Sequence, residues 1–176
     1  MDTIPPPMAT KRLDPDQSPI PEHASIFRYW DELRGDRIAP SWSEFDLLRL
    51  DKNVLPWTAV VDISDDRKEI VYRFWGTELR EYRGEDYTNC SVLEIPPQDL
   101  GEFIFDSYLT TANEKKPCLD IEEYMAPSGR IGTKAVLRLP LSDDGETINK
   151  VVANMVFDIS YIGTEVVDFF KSVRDD

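Results

Sequence analysis

Histidine is nearly missing from this sequence and cysteine is scarce, at one and two residues among 176. With His23 as the lone histidine, no Ser–His–acid set can be built around a core site. No GxSxG, HExxH, phosphate-loop or GxGxxG pattern occurs either. Cys90 and Cys118 lie far apart with no CxxC pair, so two reduced thiols are expected. Basic residues are also short, at 20 against 34 acidic ones, for a net charge of −14. Such a surface repels phosphate and anionic lipid, which argues against nucleic-acid and membrane partners. Solubility, or a basic partner, fits the charge better. No apolar run has the length of a membrane span. The first twenty residues lack the charged start, apolar middle and cleavage site of a secretory signal. A cytoplasmic location is therefore expected, with no metal site and no catalytic residue assigned.

What is present divides into four stretches. Residues 1–20 are proline-rich and are expected to be disordered or extended. Residues 21–55 read as a helical extension, with Ile26, Trp30 and Leu33 on one face, Phe27 beside them and Gly35 as the stop. Ser41 and Glu44 have capping-box spacing and predict a short helix toward Leu50. Residues 56–160 hold the core, and 161–176 a final helix opened by Thr164.

The core begins with two strands, Trp57–Ser64 and Glu69–Trp75, joined by a polar turn. Strict alternation puts Ile70, Tyr72 and Phe74 on one face and Val71, Arg73 and Trp75 on the other. Short helical turns and a longer helix, Asp99 to about Lys115, follow. Its apolar arc is wider than a simple surface helix needs, so one side should line a cavity or meet another helix. Three strands close the core: Cys118–Ala126, Arg130–Leu141 and Ile148–Ser160. Strand runs split by a helical block indicate an α+β class with a five-stranded antiparallel sheet, the helical block on one face, and helices at both ends.

This order is similar to that of the PAS domain, and specific segments resemble one proteobacterial PAS-like family of unknown function. Tyr29-Trp30-Asp31-Glu32-Leu33-Arg34-Gly35 is similar to its opening YWxxLRG. Tyr72-Arg73-Phe74-Trp75-Gly76-Thr77 resembles YRLVGT, and Gly84-Glu85-Asp86-Tyr87-Thr88 resembles GRDLT. Leu139 to Gly145 is similar to LPLSDDG. The family usually has Gly after GRDLT; here Asn89 stands there, the next best residue for a left-handed backbone. The resemblance implies a sensory and interaction module with a cavity between sheet and longer helix, and a first helix that docks in cis or crosses to a second subunit.

No cofactor is assigned. Photoactive flavin PAS domains carry an NCRFLQ-like segment, and Asn89-Cys90-Ser91-Val92-Leu93-Glu94 looks similar. The register implied by Asn89 puts the reactive position near Val92, and the Arg and Gln that hold flavin are missing. Haem ligation through His23 is argued against because it precedes the core and reads as a solvent-exposed helix residue.

The expected cavity lining is Tyr72, Phe74, Ile104 and Tyr108, with Leu137, Met155 and Phe157 from the later strands. The expected interface is Phe27, Trp30, Val71, Arg73 and Trp75, large side chains whose face should be covered. Arg73 is also read as a sheet-surface arginine paired with an acidic neighbour. Glu123 falls on the inward side by alternation with Leu119, Ile121 and Met125; a bulge or strand end turning it outward is the preferred reading. Three functions stay open: a sensor with a small-molecule ligand, a ligand-free interaction scaffold, and an enzyme that would pair Glu123 with Tyr108. A homodimer is expected. The chain stops soon after the final helix, so any signal is expected to pass to a separate protein or through self-association.

Overall fold

A computed structural model describes residues 4–18, 20–126, 128–158 and 164–175. The sheet is antiparallel throughout and has six strands in the order β1-β4-β5-β6-β2-β3. They are β1 (Ala9–Leu13), β2 (Thr58–Ile63), β3 (Ile70–Trp75), β4 (Cys118–Met125), β5 (Ile131–Leu141) and β6 (Lys150–Phe157). Among the described residues four helices accompany them: α1 (Pro21–Arg34), α2 (Thr77–Arg83), α3 (Gln98–Glu114) and α4 (Thr164–Asp175). The first and last strands of the expected core, β2 and β6, pair antiparallel at the sheet centre. The expected end of the last strand, residues 159–160, lies outside the described residues.

The sixth strand corrects the sequence reading. Residues 9–13, within the stretch expected to be disordered or extended, pair with β4 from Ala9↔Glu123 to Leu13↔Leu119. The segment ATKRL is free of proline, so every N–H is available for a ladder. It lacks apolar alternation because it sits at the sheet edge, where Arg12 donates to both oxygens of Asp120 at 2.9 and 3.2 Å. The predicted helix from Ser41 is also absent. Glu44 Oε2 instead accepts from the Ser41 N–H and hydroxyl, both at 2.9 Å, and closes a turn. Only the 3-10 turn Leu47–Arg49 follows.

Both sheet faces are covered. The inner face carries α3, whose Tyr108, Thr111 and Ala112 are buried. On the outer face, α1 packs in cis. Trp30 is 1% exposed, and its Nε1–H donates to the Pro140 carbonyl at 2.7 Å. Phe27 stacks beside it, with ring centroids 6.0 Å apart. Outer-face α4 buries Phe170 and places Arg174 3.3 Å from Glu123. The alternating set Ala135, Leu137 and Leu139 is fully buried beneath this outer layer.

His23 is also in that layer. It is fully buried, not solvent-exposed as the sequence suggested. Its position in the first turn of α1 gave no sign of the contact, which arises only when α1 lies against β6. Desolvation pushes the imidazole down to about 4, and the adjacent Asn154 opposes this only in part.

Candidate ligand-binding cavity

A bulge in the β2–β3 pair decides which side chains reach the inner face. Val60 pairs with Phe74 but Val61 pairs with Tyr72, which leaves Arg73 as the extra residue. Tyr72 and Trp75 thereby share the inner face, and Phe74 turns outward. Strict alternation predicted the reverse for Phe74 and Trp75, and a bulge has no signature in the alternation itself. Arg73 points to the outer side, where its Nη2 lies 2.8 Å from Asp62 and its guanidinium covers Trp42. Val71 is half-buried at the sheet edge and bridges to Ser91. The five residues expected to form one interface are thus split: Phe27 and Trp30 dock in cis, Val71 and Arg73 lie at the β3 edge, and Trp75 faces inward.

Between the inner face and α3 lies a small cavity. Tyr72, Ile104, Tyr108, Met155 and Phe157 line it, as do Trp75, Leu79 and Phe103. Phe74 and Leu137 do not. Leu137 pairs with Leu119 and Asn154, which places it on the outer face. The rings interlock edge to face: Tyr72 lies 4.7 Å from Trp75 and 6.4 Å from Tyr108. The space open to the centre of a water molecule is about 30 Å³. That holds one or two waters, so neither a flavin nor a haem fits this conformation.

The polar part of the lining comes from the alternate positions of β4 and β5. Glu122, Lys134 and Arg138 reach the cavity, as does Arg83 from the end of α2. Arg138 Nη1 lies 2.8 Å from Asp120 and Nη2 3.5 Å from Glu122, all three buried. Lys134 Nζ reaches the other Glu122 oxygen at 3.0 Å. Arg12, Asp120, Arg138, Glu122 and Lys134 therefore form one ion chain from the sheet edge to the cavity. Burial opposes the Arg138 charge, but Glu122, Asp120 and the surrounding acidic groups outweigh it and raise its pKa. Burial pushes the Tyr108 phenol up to about 12 despite nearby Arg138. Burial likewise raises Tyr72 well above the usual phenol range. Both stay protonated donors at neutral pH.

Reading β4 and β5 by apolar alternation hid these groups. Leu119, Ile121 and Leu137 supply the outer core, while the charged alternates pair with one another on the inner face. Glu123 is buried at 3% exposure and is not turned out by a bulge, because β4 pairs with β5 without a break. It faces α4 on the outer side, so Glu123 and Tyr108 lie on opposite faces of the sheet and form no acid/base pair. The two thiols are free: Cys118 is buried and Cys90 half-buried, and neither lines the cavity. Asn89 has φ of 66°, the left-handed turn geometry expected at that position.

Among the described residues no cluster of His, Cys, Asp and Glu could hold a metal ion, and no helix is long and apolar enough to cross a membrane. No curated protein matches the sequence. Solved structures match the chain at low identity. One is a Vibrio cholera VqmA–ligand–DNA complex, 14% identical, with a TM-score of 0.47 over 66% of this chain and 52% of the other. The chain thus spans about half the length of that protein. Another is a light-oxygen-voltage domain studied with a flavin analogue, 10% identical, with a TM-score of 0.41 over 67% of this chain and 86% of the other. The sequence model of the PAS domain matches residues 20–156, most of the chain and every strand of the sheet except β1, and this chain belongs to the PAS domain family.

Proposed function

We propose that this protein is a PAS sensory module that binds a small molecule between α3 and the inner sheet face and signals through protein contacts, including a homodimer. The observation that carries the reading is a cavity lined by interlocked aromatic rings and buried ion-paired side chains in the middle of the domain. A core built only for packing has little use for Arg138 and Glu122 beneath α3, because buried ion pairs add little net stability over apolar residues of similar volume. Similarity of the YWxxLRG-, YRLVGT- and LPLSDDG-like segments to the proteobacterial PAS-like family points the same way. The acidic surface suits a cytoplasmic protein that avoids nucleic acid and membranes.

A second reading, a ligand-free interaction scaffold, draws support from the small cavity volume of about 30 Å³. Denaturing freshly purified full-length protein and analysing what is released by mass spectrometry separates the two. A stoichiometric small molecule is expected. Its absence, with no ligand-dependent change in self-association by sedimentation, would leave the scaffold reading standing alone.

A further inference from the structure

The buried side-chain atoms of the cavity lining that lack any hydrogen-bond partner are both donors. Trp75 Nε1 and Arg138 Nε are buried donors with no hydrogen-bond partner. Both residues are more than nine-tenths buried. Arg83, from the last turn of α2, makes no ion pair among the described residues; its guanidinium only covers the Tyr82 ring at 5.9 Å. The lining carboxylate, by contrast, is already used. Glu122 meets Arg138 through one oxygen and Lys134 through the other. Glu122 is the one carboxylate on the lining, beside Arg83, Lys134 and Arg138. Asp120, behind the lining, also pairs with Arg138, which leaves Arg83 and Lys134 to share Glu122 as the surplus. A site with orphan donors and surplus positive charge is completed by an acceptor-rich anion, since buried unpaired donors are costly.

We propose that the cavity binds a small organic carboxylate, its oxygens accepting from Trp75 Nε1–H, Arg138 Nε–H and the Arg83 guanidinium. This rests on the sensory reading and names the ligand class for it. The volume is consistent: space for one or two waters is space for a carboxylate group. The half-buried Tyr82, Arg83 and Phe103 mark the side on which a short apolar tail meets the protein surface.

The test has two parts. Small molecules released from freshly purified full-length protein are identified by mass spectrometry. The same protein is then titrated with propionate and with the neutral isostere propionamide at constant ionic strength, following thermal stability and tryptophan fluorescence. Recovery of an organic acid, or stabilisation by propionate that propionamide does not give, is expected. Arg83→Met, at a position with no ion pair to lose, should weaken propionate by roughly tenfold or more and leave folding intact by circular dichroism. Trp75→Phe, which keeps an aromatic ring but removes the N–H together with the five-membered ring of the indole, should weaken it as well. Recovery of a neutral or cationic molecule would overturn the carboxylate and leave the sensor reading in place. So would propionate binding that Arg83→Met does not change. If nothing is released and propionate acts no differently from propionamide, waters fill the donors and both readings fall.

Discussion

Trp75 meets Tyr72 edge to face beneath α3, with ring centroids 4.7 Å apart and an angle of 74° between the planes. Residues three apart on a regular strand face opposite ways; these two share a side because Arg73 is bulged out between them. The ranking of two neighbouring truncations follows. Trp75→Ala empties a buried site and should destabilise by about 3–5 kcal/mol. Phe74→Ala, on a half-buried outer position, should lose only about 1–2 kcal/mol. Denaturant unfolding of both variants checks the order, and a larger loss at Phe74 would contradict the bulge.

The same bulge shows where the sequence was legible and where it was not. Strand and helix order followed from apolar periodicity and turn residues, because elements this strongly patterned leave a local mark. The left-handed Asn89 was legible through the resemblance, because it stands where the family usually has Gly. Three things were not. A one-residue bulge inverts every later side chain without changing composition. An edge strand such as Ala9–Leu13 is held by ladder bonds and by Arg12 to Asp120, so it needs no alternation. A sheet covered on both faces removes the polar side that alternation is read against. Leu137 looked like cavity lining for that reason, while the charged neighbours Lys134 and Arg138 held the cavity.

Gly76 closes β3 against the turn that opens β2. A Cβ built there would sit 2.2 Å from the Pro56 carbonyl oxygen and 2.9 Å from that of Thr58. Both obstacles are backbone and cannot swing aside, and the Gly76 N–H itself donates to Thr58 at 2.9 Å. Gly76→Ala must therefore spread the β2–β3 hairpin. A loss of roughly 2–4 kcal/mol is expected, read as a lower midpoint in thermal or denaturant unfolding. Gly145→Ala, in an open turn at φ of 79°, meets no atom within 4 Å and should lose only about 1 kcal/mol.

Arg138 ties two β4 carboxylates together, and its removal tests whether the ion chain is one unit. Arg138→Met leaves Asp120 with Arg12 and Glu122 with Lys134, both buried carboxylates losing a partner. Breaking a buried pair from one side should destabilise by about 3–5 kcal/mol. Removing Glu122 at the same time, as Arg138→Met with Glu122→Leu, eliminates one stranded charge and should recover part of that loss. Additive losses in this double-mutant cycle would mean that the two side chains are not coupled.

His23 sets the pH dependence near neutrality. Burial holds the folded imidazole at about 4, against about 6.5 in the unfolded chain. As pH falls, the unfolded state takes up the proton first, so stability is full above about 6.5 and drains away down to about 4. The difference amounts to roughly 3 kcal/mol. Asp143 titrates below this range: partial burial is outweighed by Lys150 and Asn149, which hold it at about 2. The slope of stability between pH 6.5 and 4 should therefore flatten in His23→Leu, which fills the same outer-face site with no group to protonate. Neither His23 nitrogen has a hydrogen-bond partner, so the leucine variant should match or exceed the parent in stability at pH 5. Unfolding midpoints in urea at half-unit pH steps measure this directly. An unchanged slope in the variant would show that the histidine is reached by water in the folded protein.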